Sequence, residues 1–272
     1  MNKWLWQKKQ EIPYITIPHW VEQGIYMAFS GRQGGESLAP YDSLNMGLHV
    51  GDRPAAVLSN RRAFLQIWGL GLEQVVCCQQ VHGNGVARIK TEQAGRGAKD
   101  HHNALPGLDA MVTDCPGIVL ASFYADCIPV LIYDPQQRAV GMAHSGWKGT
   151  MDRVVLNTVQ ALGEYFGSVA GDLEVFIGPG IGPCCFQIQP DLSEKVTKAF
   201  PGFDGIMYRN REIFWDLRLT NRKILCQAGV DPKKIIDCEL CTSCQKDSFF
   251  SYRREKGKTG RMMAVIGLQQ PR

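Results

Sequence analysis

Residues 127–144, "CIPVLIYDPQQRAVGMAH", hold two apolar runs, 128–133 and 138–143, around the polar tetrapeptide Asp134-Pro135-Gln136-Gln137. Runs rich in Val, Ile and Ala on either side of turn-forming residues predict a β-hairpin. With those four residues as the turn, Tyr133 pairs with Arg138, and counting back along both strands sets Cys127 directly opposite His144. Opposed residues share a face, with Cβ atoms roughly 4.5–5.5 Å apart, so a thiolate and an imidazole there touch or share one metal ion. The placement is conditional on register, because a one-residue slip sends the two side chains to opposite faces. Pro129 adds a second condition: it suits a strand's start or an edge, not a central ladder.

The chain's 272 residues suffice for one large domain or two smaller ones, either with a substantial core. A net charge of +4, spread without a basic block, argues against nucleic acid or a membrane surface as a partner. The opening "MNKWLWQKKQEIPY" lacks the apolar run and cleavage site of a secretory signal, and no stretch reaches the roughly 18 apolar residues of a membrane span. A cytoplasmic location follows, with the ten cysteines read as reduced thiols or metal ligands, although that number would also serve a secreted disulfide protein. The adjacent pairs Cys77-Cys78 and Cys184-Cys185 read as small buried hydrophobes in strands or tight loops. Nothing points to an obligate protein partner.

Strands are expected at 118–124, 128–133, 138–143, 173–178 and 263–267. A helix is expected from a capping Asp52 to a stopping Gly69, with Val57, Phe64 and Trp68 as its apolar positions. A second starts near Met151, with Val154, Val155, Thr158, Ala161, Leu162 and Tyr165 on one stripe, and a third runs through "LTNRKILCQAG" to Gly229. Together these elements indicate an α/β or α+β domain. The polar stretch 91–107 reads as a flexible loop, its His101-His102 pair as solvated.

His82, in "QQVHGNGV", is the third member of the candidate site. Joined to Cys127 and His144 it makes a Cys-His-His set with the fourth tetrahedral position open, as in catalytic zinc sites. On spacing alone a structural, hydrogen-bonded histidine explains His82 as well. Lys148, in the "SGWKGT" turn between strand and helix, and the arginines Arg61 and Arg253 are candidate phosphate ligands. A solvated lysine and surface salt bridges are the plainer accounts of the same three residues. Cys238, Cys241 and Cys244 in "CELCTSC" have no matching downstream pair, so a second zinc there would need ligands from elsewhere, and "GPGIGPCC" reads as a rigid loop.

The motifs "QVHG", "ADCIPVLIYD", "AHSGWKGT", "IGPGIGPCCF" and "FFSYRRE" followed by "TGR" occur in an order that resembles the YfiH family, also called the laccase-domain or polyphenol-oxidase family, and especially its YlmD-like bacterial members. The likeness runs from "NMGLHVGD" to "TGRMMAVIG", leaving roughly the first forty residues outside it. It implies an α+β fold, one catalytic domain over 1–272 with central mixed β-sheets flanked by helices, the segment 1–40 being its least certain part. It further implies zinc on His82, Cys127 and His144, and the phosphorolysis of adenosine, inosine and methylthioadenosine with adenosine deamination beside it. Asn45 in "SLNMGLHVGD" resembles another site position of the family, where a turn or capping role would equally explain an asparagine.

Zinc so held acidifies water to a pKa of about 7, which suits deamination, whereas phosphorolysis also needs an anion site and help for the departing purine. Three rivals stand beside this reading. A metal-free thiol hydrolase would use Cys127 and His144 and leave His82 without a part. Copper polyphenol oxidation needs more imidazoles than a chain with six histidines readily supplies, although copper itself could enter the same site. A structural zinc or regulatory nucleotide module would call for a fourth ligand.

Overall fold

The computed structural model describes residues 3–270, and its interior strands are apolar on both faces. Such strands need cover above and below, which four layers provide. One six-stranded sheet runs in the order Leu5–Lys9, Ile12–Thr16, Ile25–Ser30, Met262–Leu268, Val119–Tyr124, Val75–Cys77. The other runs Ile235–Asp237, Glu174–Ile177, Ile128–Asp134, Ala139–Ser145, Ala110–Thr113, Val86–Arg88. Both mix parallel and antiparallel pairs, and a small third sheet joins Gln187–Ile188, Glu212–Trp215 and Ile206–Arg209. The fold is α+β, as the resemblance implies.

Side chains alternate between the layers. Leu120 and Tyr124 of one sheet meet Leu131, Met142 and Phe176 of the other in the central core. Their neighbours Val119, Ala121 and Phe123 turn outward to Phe64 and Leu65 of the helix Pro54–Gln66. On the far side, Val130 and Ile132 meet Val155 and Leu162 of the helix Val154–Phe166 and Leu225 of the helix Leu217–Gln227. Each such side chain contributes about 1.5–3 kcal/mol by leaving water.

The central hairpin differs from expectation by a two-residue shift of pairing. Asp134 pairs with Ala139, Tyr133 with Val140 and Pro129 with His144. The reason lies in the turn: Asp134 stays in the strand and its Oδ1 accepts the N–H groups of Gln136 and Gln137 at 2.8 and 3.1 Å, while Arg138 takes a left-handed conformation, φ +49°. The loop is therefore 135–138. An even shift preserves faces, so Cys127 and His144 remain on the same side although they are not opposed. Pro129 is tolerated in this central strand because its carbonyl side, where it accepts from Gly178 N–H at 2.9 Å, lies beyond the last ladder pair with Glu174–Ile177.

Other elements are placed with small corrections. The first helix starts at Pro54 behind Arg53, because Asp52 spends its carboxylate on Arg53 N–H and Asn45 Nδ2 instead of capping. Trp68 falls past that helix's end. The second helix breaks at Arg153, φ +56°, into Trp147–Met151 and Val154–Phe166, and Tyr165 lies on the solvent side. The stretch 91–107 is packed, not loose: it carries the short turns Thr91–Gln93 and His101–Asn103 and buries Ala98 and Ala104. The helix Pro190–Ala199 was not expected. Cys77 and Cys78 are buried as small hydrophobes, whereas Cys184 is exposed and Cys185 partly so.

Candidate active site

Cys127 stands just before the strand Ile128–Asp134, His144 near the end of Ala139–Ser145 and Asp109 just before Ala110–Thr113, so three neighbouring strands deliver their functional groups at one end of the second sheet. His82 arrives from the loop after Val75–Cys77. The ligand atoms of His82, Cys127 and His144 all lie within 4.8 Å of one another, and the two imidazoles pack edge to face with centroids 5.0 Å apart.

Asp109, fully buried, organises this set. Its carboxylate accepts the N–H groups of Val81, His82 and Gly83 at 3.1, 3.0 and 2.7 Å, and it accepts from His144 Nδ1 at 2.8 Å. Three amide donors hold His82 in a left-handed conformation, φ +63°, that costs about 1–2 kcal/mol for a side-chain-bearing residue. The carboxylate, an acceptor only, keeps a hydrogen on His144 Nδ1, so Nε2 is the nitrogen turned to the site and the one whose lone pair a metal would take. Burial opposes the Asp109 charge, but His144 and the amides of Gly83 and His82 overcome it and hold the carboxyl below its usual range.

Burial would likewise raise the Cys127 thiol, yet the His144 and His82 imidazoles bring it below the ordinary thiol range. Burial lowers and the Cys127 and Asp109 charges raise His144, whose pKa lies above the usual imidazole value. Two imidazoles and a thiolate, with an oriented lone pair and a carboxylate behind it, form a donor set that fits zinc or copper.

The set opens onto a cavity of about 1000 Å³, the size range of small-molecule sites. Of the expected substrate ligands, Lys148 and Arg253 line it. Arg253 donates Nη1 to the carbonyls of Cys185 and Gln187 and its N–H to Asp126, which ties it to the wall. Arg61 does not reach the cavity surface: it is 1% exposed, its Nε and Nη1 donate to the carbonyls of Met46, Gly97 and Ala98, and its guanidinium lies 4.3 Å from the Phe123 ring centre. Asn45 is also buried, with Oδ1 accepting from the N–H groups of Gly47 and Arg261. Both sit behind the wall. Arg61→Ala should destabilise the fold by about 3 kcal/mol, read by denaturant unfolding, since three buried carbonyls lose their donor.

Several lining residues escaped the sequence reading. Arg261 of the "TGR" motif faces the cavity, as do Phe123, Tyr252 and Lys195. His101, expected in a solvated loop, packs against His49 with ring centroids 5.1 Å apart and planes tilted by 37° in the cavity wall, while its neighbour His102 is exposed.

The family described as multi-copper polyphenol oxidoreductase laccase matches residues 26–269. This chain belongs to that YfiH-like family. A protein from Geobacillus stearothermophilus named purine nucleoside phosphorylase YlmD is 38% identical over 250 residues, 91% of each chain. A protein from an unknown prokaryotic organism named adenosine deaminase is 32% identical over 243 residues, 88% of this chain and 92% of that one. The crystal structure of YlmD from Geobacillus stearothermophilus superposes with a TM-score of 0.93 at 35% identity, covering 99% of this chain and all of the other.

In this YfiH-family chain Gly146 guards the space for the thiol. Its backbone, φ −73° and ψ 179°, would accept any residue, but an added Cβ would stand 2.8 Å from Cys127 Sγ and 3.1 Å from His82 Cδ2. Gly146→Ala should therefore cost at least about tenfold in metal affinity, measured by competition with a chelator, with little change in melting temperature.

Proposed function

We propose that this chain is a purine nucleoside phosphorylase acting on adenosine, inosine and methylthioadenosine, with adenosine deamination as a second activity, and that its centre is a zinc ion held by His82, Cys127 and His144. The observation that carries the reading is the convergence of those three ligand atoms at a cavity large enough for a nucleoside and phosphate together. The names of the two relatives support the two activities. Zinc supplies Lewis acidity and brings water within reach of deprotonation near neutral pH.

The chain's own side chains do the remaining work. Phe123, Phe186, Trp147 and Tyr252 offer aromatic faces for the purine and the ribose. Arg261 and Lys148, both lining the cavity, hold the phosphate dianion close to the sugar, where it displaces the base at C1′. Asp109 keeps His144 in one tautomer throughout.

Arg261→Ala should weaken phosphate use about ten- to a hundredfold, the loss of one charge-assisted contact of about 1.5–3 kcal/mol, and leave deamination of adenosine less affected. Steady-state rates at varied phosphate check this. Product identification after incubating the metal-loaded protein with adenosine, with and without phosphate, tests the whole reading. Adenine and ribose 1-phosphate should form only with phosphate, and inosine should form without it. Base release that ignores phosphate would identify a hydrolase instead.

A further inference from the structure

A second group of potential metal ligands lies outside the catalytic set. Cys184 and Cys185 end the "GPGIGPCC" loop after the strand Glu174–Ile177, and Cys241 and Cys244 come from "CELCTSC" after Ile235–Asp237. Residues about sixty apart in sequence thus meet, and their four Sγ atoms all lie within 4.8 Å of one another. Cys184 and Cys185 each stand 3.4 Å from Cys244 Sγ, so no pair is singled out as a disulfide partner. Four sulfurs about 2.3 Å from one zinc ion would be spaced about 3.8 Å apart along the edges of a tetrahedron, between the 3.4 Å and 4.8 Å that bound the separations here.

The backbone is shaped for these sulfurs. Gly182 N–H donates to Cys241 Sγ at 3.2 Å, a bond that favours a thiolate. A side chain at Gly182 would crowd the sulfurs, since its Cβ would come 3.1 Å from both Cys184 Sγ and Cys241 Cβ and push them by a few tenths of an ångström. The loops are also zipped together: Gly180 N–H donates to Leu240 O at 3.3 Å, and Thr242 N–H to Gly180 O at 3.0 Å.

We propose that Cys184, Cys185, Cys241 and Cys244 bind a second zinc ion, distinct from the catalytic one and structural in role. Four protein thiolates complete the tetrahedron and leave no position for substrate. What the ion fixes is the wall of the active site. Thr242, between two of its ligands, donates to Asp126 Oδ1 at 2.7 Å, Asp126 adjoins Cys127, and Arg253 is bonded to the Cys185 carbonyl. The inference goes beyond the proposed activity and does not depend on it.

Zinc analysis of the full chain, purified with reductant and without chelator, tests this. The wild type should hold about two zinc ions per chain. Cys241→Ser/Cys244→Ser should hold about one, and His82→Ala/Cys127→Ser should also hold about one. Cobalt substituted into the latter variant should give the strong thiolate-to-metal charge transfer and visible absorption of a tetrahedral tetrathiolate. A zinc content that Cys241→Ser/Cys244→Ser leaves unchanged, or no zinc in His82→Ala/Cys127→Ser, would overturn the proposal. So would an intact mass two hydrogens short, which marks a disulfide, or the visible absorption of an iron–sulfur cluster. A wild type with one zinc that is lost only in Cys241→Ser/Cys244→Ser would count against the other site alone.

Discussion

Cys127→Ser should lose the metal of the His82, Cys127 and His144 set and at least about a hundredfold in turnover, with the fold intact. The fold should survive because Cys127 precedes its strand and is only half-buried at the cavity edge, so no core volume is removed. Loss of activity alone would not separate a zinc enzyme from a metal-free thiol enzyme, since both need the sulfur. His82→Ala does. A Cys127 and His144 dyad would retain most of its rate, whereas a three-ligand zinc site would lose its metal and its turnover together. The metal-stripped protein adds a second reading: with its pKa held down by the two imidazoles, Cys127 should be alkylated rapidly at pH values below the ordinary thiol range, and metal should suppress that reaction.

Asp109→Asn should be the most damaging change that replaces none of the three proposed ligands. The amide cannot accept four hydrogen bonds, and its NH2 group would face backbone donors that the carboxylate now satisfies. Breaking a buried, charge-assisted group of this kind costs about 3–5 kcal/mol, and the loss of orientation at His144 a further ten- to hundredfold in metal affinity. Denaturant unfolding and chelator competition read the two effects separately. The pH dependence has a definite sign. Because the folded Asp109 pKa lies below the unfolded one, its contribution is present above the ordinary carboxylate range and is lost as pH falls through the folded value. That acid-side loss of stability should be smaller in Asp109→Asn.

The hairpin was legible because it is local. Two apolar runs and a turn suffice to put Cys127 and His144 on one face, and the error in pairing was an even one that the face survives. What misled the register was side-chain chemistry inside the turn, where Asp134 caps from the strand and Arg138 takes the left-handed position. Asp109 was not legible, since its value lies in amides some 26–28 residues away, and a lone aspartate before a strand announces nothing. Arg61 misled in the opposite sense: a charge in an amphipathic helix reads as surface, but three loop carbonyls and the Phe123 ring draw it inside. The cysteine cluster needed partners upstream of "CELCTSC", and only the fold brings Cys184 and Cys185 there.

The central claim, that the His82, Cys127 and His144 centre supports phosphorolysis, is tested most directly with inosine and phosphate labelled in its oxygens with oxygen-18. Metal-loaded wild type should yield hypoxanthine and ribose 1-phosphate carrying the phosphate label intact, because the phosphate oxygen attacks C1′ and every phosphorus–oxygen bond survives. Cys127→Ser, equally folded, should yield neither. Free ribose with the labelled phosphate unconsumed, or labelled ribose 1-phosphate formed undiminished by Cys127→Ser, would contradict the account.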